Sequence, residues 1–546
     1  MKRNVINKLL SFLLASSCVI SMAACQTQGE IPDGPDYSAY TDQFDFMAYG
    51  GFSSGKFTID GMIYDVGESY ITVEALQEYK DCGMEVILGG TETQVNNPET
   101  DKTWLTALDL CQEVGLRMIV RDNMIRAMGE KLTPIVGEGY QFATEEELDA
   151  YIYDRMKWYF KHPAYEGIVL LDEPTNEEVM AGAYGAVYHS VRRVSEQHGV
   201  DTYIHANLMG LNYYSAYSNH NSKQHPELTR EEYCELVGIT STDANGNELS
   251  DKDFYARFES AVAALPAKER TAMENEIMVR RYTLKMENFF EVTGADHYTF
   301  DTYPLYDTGP MSKMLIELQV VAEVAKRYNV DVHYITQTLT YIPENTTNTR
   351  IMSEYDLRFL NNLGLAMGYD RISYFTYYTF DDSGGATMLD GSGFKTMCGE
   401  KTPVYYNAQK VMADNQKFAG TIKQFEYRAS RMFRGASVYY DDAYLTAARN
   451  YGKLEKVSKV EVNKEYVMVN ELYDDVNDNY MYAVINVTDS MWQGSRSYQT
   501  TVLTFDEAYY YALVWRDGTC KKVRLEEGHK LTIKNNAGAA AFVIPY

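Results

Sequence analysis

Two adjacent acids, Asp172 and Glu173, follow the fully apolar run 167–171 and precede Pro174. Charged groups at the end of a buried strand are costly unless they are paired or used in function. Proline ends the strand and fixes the turn that aims Glu173. Two crowded carboxyls suit proton transfer, because the charge on one raises the pKa of the other.

Polar and aromatic side chains follow the other predicted strands in the same way. They are Asp122 after the third strand, His205 and Asn207 at the fifth, Asp301 and Tyr303 at the sixth, Gln337 at the seventh, and Tyr377 and Tyr378 at the eighth. Acids transfer protons, acids and amides bind hydroxyl groups, and aromatic rings contact the C–H faces of sugars. The combination predicts a carbohydrate site in which Glu173, Asp301 and Asp172 are catalytic and the remaining residues bind substrate.

These segments belong to a regular alternation of strands and helices. Eight short apolar strands, each followed by a helical pattern, lie between residues 44 and 418. Strands that are apolar throughout indicate a parallel sheet buried on both faces. Eight such units predict a (β/α)8 TIM barrel, whose functional side chains stand at the carboxyl ends of the strands. A doubly wound open sheet is the alternative, although it usually has fewer units.

The chain is expected to contain two domains. The barrel is placed at 41–418, with an insertion at about 212–276 that is too long for a loop and contains helix-like pieces. After it, residues 419–546 alternate apolar and polar side chains between turn residues. This alternating pattern predicts a small C-terminal antiparallel β-sandwich that packs on the barrel.

The N-terminus has the form of an export signal. A basic start precedes a short apolar run, and the small residues before Cys25 resemble a bacterial lipoprotein cleavage site. The run is too short for a membrane span. We expect removal of residues 1–24, lipidation of Cys25, a polar tether over 25–40, and attachment to the outer face of a bacterial membrane through the lipid alone. A plain secretory signal with an incidental cysteine is the alternative.

Net charge and the arrangement of cysteines and histidines limit the classes of partner and cofactor that we expect. The net charge of −27 argues against nucleic-acid binding and favours a neutral or cationic substrate. The 9 histidines and 7 cysteines are scattered without CxxC or HExxH, so we expect no metal, no cofactor and no disulfide framework. The expected partner is an oligo- or polysaccharide. No expectation about oligomeric state follows from the sequence.

The segment 167–174 resembles the strand-four end of clan A glycoside hydrolases and related sugar-degrading barrels, in which an Asn-Glu-Pro motif carries the acid/base glutamate. Other segments are similar to such barrels too, namely 300–304, Gln337, 363–377 and 402–406. The resemblance covers roughly 44–418 plus a trailing β-domain. It implies a glycoside hydrolase with Glu173 as general acid/base.

The chain departs from that pattern where clan A enzymes carry a nucleophilic glutamate, at the end of strand seven. It has Gln337 there, which cannot act as a nucleophile. Glu354 is a candidate substitute, although an acid stabilised at a helix N-terminus is the simpler interpretation. The Asp172-Glu173 pair also resembles that of hexosaminidases, in which the acetamido group of the substrate attacks and an Asp orients it. In an inverting route, Glu173 donates the proton and Asp301 activates water.

The sequence therefore predicts a surface-anchored glycoside hydrolase that acts on extracellular glycans. The alternative is a non-catalytic glycan-binding lipoprotein on a degenerate hydrolase barrel. Gln337 favours this alternative, and the retained Asp172-Glu173-Pro174 opposes it. A purely structural surface protein does not explain acids at several strand ends.

Overall fold

The computed structural model describes residues 31–59, 62–65, 67, 69–211, 225–343, 347–379 and 386–546. Eight parallel strands form a closed barrel in which neighbours in the chain are neighbours in the sheet and the eighth pairs with the first. They are β1 (Asp45–Ala48), β2 (Val86–Leu88), β3 (Arg117–Arg121), β4 (Tyr165–Asp172), β5 (Tyr203–Met209), β6 (His297–Asp301), β7 (Asp331–Gln337) and β8 (Arg371–Phe375). The predicted (β/α)8 barrel is confirmed, and closure of the sheet excludes the open alternative.

Helices connect successive strands. They are α1 (Val73–Asp81), α2 (Thr103–Val114), α3 (Asn123–Gly129), α4 (Glu145–Met156), α5 (Asn176–Met180), α6 (Ala183–Gln197), α7 (Arg230–Val237), α8 (Asp251–Ala263), α9 (Ala267–Thr293), α10 (Met314–Tyr328), α11 (Glu354–Ala366) and α12 (Pro403–Ile422). Side-chain oxygens cap several of them, as Thr144 does for α4 and Ser353 for α11. Helices α5 and α6 are separate, because Gly182 takes a left-handed backbone with φ 86° between them.

An ionic network closes the amino end of the barrel. Arg371 of β8 contacts Asp45 of β1 at 2.9 Å and Glu166 of β4 at 2.7 Å. Arg117 of β3 bonds to the same two acids at 2.6 and 2.9 Å. Each charge has partners on several strands, so the network ties β1, β3, β4 and β8 together and leaves the opposite end free for function.

Loops after the barrel strands form three small two-stranded sheets. Lys56–Ile59 pairs with Met62–Asp65, Leu305–Tyr306 with Gly309–Pro310, and Tyr341–Pro343 with Ala386–Met388. Within the predicted insertion, residues 212–224 lie outside the described part, and α7, α8 and the start of α9 share an apolar cluster.

The C-terminal part is the predicted antiparallel β-sandwich, which the structure confirms. Its strands are β9 (Glu426–Arg434), β10 (Val457–Val462), β11 (Tyr466–Asp474), β12 (Asn479–Asn486), β13 (Gln499–Phe505), β14 (Tyr511–Arg516), β15 (Thr519–Arg524), β16 (Lys530–Asn535) and β17 (Ala540–Pro545), with a short helix α13 (Ala443–Ala447). A six-stranded sheet in the order β9-β11-β12-β17-β14-β15 faces a three-stranded sheet, β10-β13-β16.

The period of a β-strand explains how the sandwich joins the barrel. On β11, Val467 and Val469 belong to the apolar cluster between the two sheets, whereas Met468 and Leu472 belong to the barrel's core cluster. The rings of Phe418 on α12 and Phe542 on β17 lie 5.1 Å apart across this junction.

The N-terminal segment is described only from residue 31. The predicted signal peptide, residues 1–24, and the predicted lipidation site Cys25 lie outside the described residues. The part of the predicted tether that is described packs against the protein, since Tyr37 is buried and its hydroxyl donates to Asp474 Oδ2 at 2.9 Å. Among the described residues, no helix has the length and apolarity needed to cross a membrane.

Candidate active site

The Asp172-Glu173-Pro174 turn stands at the carboxyl end of β4. Glu173 has a left-handed backbone, with φ 51°, which costs a non-glycine residue about 1–2 kcal/mol. The backbone N–H of Glu173 donates to the carbonyl of Asn207 on β5 at 2.8 Å, and Asn207 Nδ2 donates to Asp172 Oδ1 at 3.2 Å. These bonds to β5 hold the strained turn and aim two acids in different directions.

Glu173 forms a hydrogen-bonded carboxyl pair with Asp301, the last residue of β6. Asp301 is 2% exposed, and its Oδ2 accepts from the Tyr303 hydroxyl at 3.0 Å. No N–H or O–H group of the described residues donates to Oδ1 of Asp301. Burial raises the pKa of both carboxyls, and the negative charge of Glu173 and the hydrogen bond to it raise that of Asp301 further. The hydrogen bond lowers the pKa of Glu173, so Asp301 is the donor of the pair and Glu173 the acceptor.

A buried lysine lies behind this pair. Lys285, on α9, is 1% exposed, and its Nζ donates to the carbonyl of Pro174 at 2.9 Å. Burial lowers its pKa to about 8, against the attraction of Glu173 and Asp301, which favours the ammonium form. Lys285 thus fixes the turn that carries Glu173 and places a positive charge near the two carboxyls.

Tyr49, directly after β1, lies among all three acids. Its hydroxyl lies 2.5 Å from Nε2 of His205, which is buried on β5. Burial lowers the pKa of His205 to about 3, so the imidazole that shares this hydrogen bond is neutral. Burial also raises the pKa of Tyr49, and the negative charges of Asp172, Asp301 and Glu173 raise it further. Tyr49 is therefore a fixed, neutral hydroxyl beside the carboxyls.

A cavity of about 310 Å³ opens next to Tyr49, over the ends of β1–β4 and β8. Its walls are Tyr49, Gly50, Phe52, Ser53, Lys56, Leu88, Gly89, Gly90, Thr91, Glu92, Arg121, Arg126, Val169, Asp172, His205, Phe375, Tyr378, Thr379 and Met397. Asp172 is exposed into this space, whereas the Glu173–Asp301 pair is beside the wall formed by Tyr49 and Asp172. The carboxyl end of the barrel thus carries an open cavity and, beside it, the Glu173–Asp301 carboxyl pair.

Several of the predicted substrate-binding residues lie at this site. His205 and Tyr378 line the cavity. Asn207 holds Asp172, and Tyr303 holds Asp301. Of these, only Tyr378 offers an aromatic ring to the cavity.

Three other predicted substrate-binding residues are placed elsewhere. Gln337 is fully buried, and its amide bonds to both backbone groups of Leu305 at 3.0 Å and to the carbonyl of Arg350 at 3.2 Å. Gln337 therefore holds the loop after β6, and its geometry gives no support to substrate contact. Tyr377 is buried against Tyr79, with ring centroids 4.8 Å apart.

Asp122 also has a local role in place of the predicted one. It caps α3 by accepting from the backbone N–H of Met124 at 3.0 Å, and it pairs with Arg155 at 2.7 Å. Its side chain is fully buried, so it has no access to the cavity. Glu354, the candidate substitute nucleophile, pairs with Arg358 and Lys410 at 2.9 Å and is an ordinary acid of a helix N-terminus.

Sequence reasoning missed Tyr49, Lys285 and Glu92 as residues of the site. Tyr49 had a usable signal, because it directly follows an apolar barrel strand. Lys285 had none, since it is one of several charged residues within the 27-residue helix α9. Arg121 and Asp172 both line the cavity but form no ion pair.

Comparison with known proteins gives fold neighbours only. No family model and no curated protein sequence matches the chain. Many solved glycoside hydrolases are similar in fold. A family 5 glycoside hydrolase from Bacteroides vulgatus is 9% identical, with TM-score 0.45 and coverage of 92% of this chain and 89% of its own. A β-galactosidase from Bacillus circulans is 9% identical, with TM-score 0.41 and coverage of 92% and 99%. At such scores these likenesses assign no activity to this chain.

Proposed function

We propose that this protein is a glycoside hydrolase in which Glu173 is the general acid/base. The observation that carries the proposal is the hydrogen-bonded Glu173–Asp301 pair beside a cavity that exposes Asp172, all at the carboxyl end of a (β/α)8 barrel. Active sites of this fold lie at that end. Burial raises the pKa of Glu173, which is the direction that a general acid requires.

The proton moves within a small set of groups. Glu173, half-buried and nearer to solvent than Asp301, gives its proton to the glycosidic oxygen as the C–O bond breaks. The hydrogen bond from Asp301 and the ammonium of Lys285 then stabilise the Glu173 carboxylate. Glu173 afterwards takes a proton from water, which hydrolyses the intermediate.

The contact between Glu173 and Asp301 bears on the stereochemical route. Inverting enzymes separate their two carboxyls by about 6.5–9.5 Å to admit a water molecule, and a hydrogen-bonded pair leaves no such space. Asp172 is therefore the second carboxyl of the reaction, either as nucleophile or as the group that orients an attacking acetamido group. Both routes retain the anomeric configuration.

We also propose that the protein is exported and anchored outside the cell through lipid on Cys25, where it meets extracellular glycans. The support is the pattern of residues 1–25 alone. Growth of bacteria that express the protein with radioactive palmitate tests this proposal. Cys25→Ala is expected to abolish labelling of the protein and to release it from the membrane. Equal labelling of both would contradict it.

A second candidate function is glycan binding without catalysis. Gln337 favours it, since the end of β7 presents a buried amide and no carboxylate. Under this alternative, Glu173 and Asp301 are remnants that hold the turn.

Sugar release from a broad panel of polysaccharides and oligosaccharides distinguishes the two. The purified protein, Glu173→Gln and the control Glu354→Gln are compared under the same conditions. We expect release by the parent and the control, and a loss of about a hundredfold or more in Glu173→Gln. Glycan binding without release by the parent would favour the non-catalytic function. Equal release by all three would remove Glu173 from the mechanism.

A further inference from the structure

One wall of the cavity carries an arginine whose side chain has no partner among the described residues. Arg121 is the last residue of β3 and half-buried, and its guanidinium forms no hydrogen bond or ion pair with any of them. Its Nε is enclosed without an acceptor. By contrast, the buried arginines Arg155, Arg281 and Arg350 each contact a carboxylate, at 2.7, 2.9 and 2.6 Å. Arg121 is thus a cation that the fold encloses in part but does not neutralise.

The neighbouring charges do not supply the missing partner. Arg126, on the same wall, pairs with Glu130 at 2.9 Å, and Arg126 also repels the Arg121 guanidinium. Burial is the main cause that lowers the pKa of Arg121, and the charge of Arg126 is the next. Glu92 and Asp172 line the cavity without contacting Arg121.

The composition of the chain makes an arginine side chain without an ion pair unusual. The chain has a net charge of −27, so carboxylates were abundant candidates to pair with Arg121. A half-buried guanidinium without an anion is unfavourable, and a planar fork of N–H donors fits a carboxylate in two parallel hydrogen bonds. The expectation of a neutral or cationic substrate came from net charge, which says little about one cavity when charges are screened within about 8 Å.

We propose that the cavity binds an acidic sugar whose carboxylate contacts Arg121. The aromatic rings of Phe375 and Tyr378 supply apolar walls for the same sugar, and Asp172 stands beside its anomeric carbon. The inference rests on the proposed glycoside hydrolase function for the reaction, but binding of the acid does not require that the bond be cleaved.

Matched pairs of small molecules test the inference. The 4-nitrophenyl glucuronides and galacturonides, in both anomers, differ from the glucosides and galactosides only in a carboxylate that replaces a hydroxymethyl group. Hydrolysis of each pair is measured for the parent, Arg121→Gln and the control Arg327→Gln, whose arginine pairs with Glu287 at 2.9 Å on an exposed surface. Calorimetry with sodium glucuronate and galacturonate, against glucose and galactose, measures binding alone. Thermal unfolding confirms that each variant is folded.

We expect the parent to prefer a uronide over its neutral partner by about 10- to 100-fold in kcat/KM or in affinity, which is the range of a charge-assisted hydrogen bond. Arg121→Gln should lose the preference and retain weak action on the neutral compound, whereas Arg327→Gln should keep it.

The outcomes separate this inference from the proposed function. Binding of the uronates that Arg121→Gln removes, with no hydrolysis of any compound, would uphold the acidic-sugar site and overturn the hydrolase. Equal hydrolysis of a uronide and its neutral partner would overturn the acidic-sugar site alone. A preference for the uronide that is unchanged in Arg121→Gln would do the same. If the acids are neither bound nor hydrolysed, the inference is overturned. A preference for 6-O-sulfated glycosides over the uronides, measured in a parallel series, would also overturn it.

Discussion

Replacement of Lys285 by methionine is the most informative change to the environment of the carboxyl pair. The folded protein holds this ammonium at a pKa of about 8 in place of 10.5, which corresponds to about 3 kcal/mol of unfavourable free energy at pH 7. Lys285→Met removes that cost and also removes the hydrogen bond to Pro174, which is worth about 1.5–3 kcal/mol. The two terms nearly cancel, so we expect the variant at pH 7 to be as stable as the parent or more stable by up to about 1.5 kcal/mol.

The difference in stability between the parent and Lys285→Met must change with pH, and the sign of the change follows from the lowered pKa of Lys285. Below about pH 8 the folded protein binds this proton against its preference, and the penalty disappears as pH rises from 8 toward 10.5. The parent therefore gains about 2 kcal/mol relative to Lys285→Met between pH 7 and pH 9.5. Other titrating groups are common to both proteins and cancel in the difference.

Urea unfolding followed by tryptophan fluorescence measures this difference directly. The parent, Lys285→Met and the exposed control Lys417→Met are compared at pH 7 and pH 9.5. A constant difference between parent and Lys285→Met at both pH values would refute the account of Lys285 as a buried ammonium beside the acids. In activity, the loss of its attraction should raise the pKa of Glu173 and move the alkaline fall in kcat/KM to higher pH.

Three further changes give separate tests. Asp301→Asn should raise the melting temperature more at pH 8 than at pH 4, because a carboxyl with a raised pKa stabilises the fold below its unfolded pKa of about 3.9 and loses that contribution as pH rises. Gln337→Glu should lower the melting temperature without increasing activity, because its carboxylate would face the backbone carbonyls of Leu305 and Arg350, at a cost of about 1–3 kcal/mol. Asp489→Ala should destabilise the protein by about 1.5–3 kcal/mol in denaturant unfolding, because Arg350 would lose its 2.6 Å partner at the junction of barrel and sandwich and keep Asp356 at 3.4 Å.

The sequence could predict the barrel because its strands carry the signal locally. Each is a short apolar run that follows a helical pattern, and closure of eight units is the economical arrangement. The approach of Glu173 to Asp301 follows from that arrangement, because each lies where a strand ends at the carboxyl end of the same barrel. Their positions at strand ends were sufficient to choose both acids as candidate catalytic residues.

The roles of the surrounding residues depend on contacts that no local pattern encodes. Gln337 ends a strand as Asp301 does, yet the loop that carries Leu305 folds over its amide and uses it. Lys285 reaches the turn from a helix more than a hundred residues away in the chain. Asp122 is different, because an Asp directly before a helix is a recognised N-cap and could have been assigned that role from sequence.

The dependence on leaving group tests the role of Glu173 most directly. Substrates with a poor leaving group need a proton on the departing oxygen, whereas 2,4-dinitrophenolate leaves without one. In kcat/KM, which reports the step in which the leaving group departs, Glu173→Gln is predicted to lose at least about a hundredfold on a natural oligosaccharide and less than about tenfold on a 2,4-dinitrophenyl glycoside of the same sugar. An equal loss on both substrates would contradict the assignment of Glu173 as general acid.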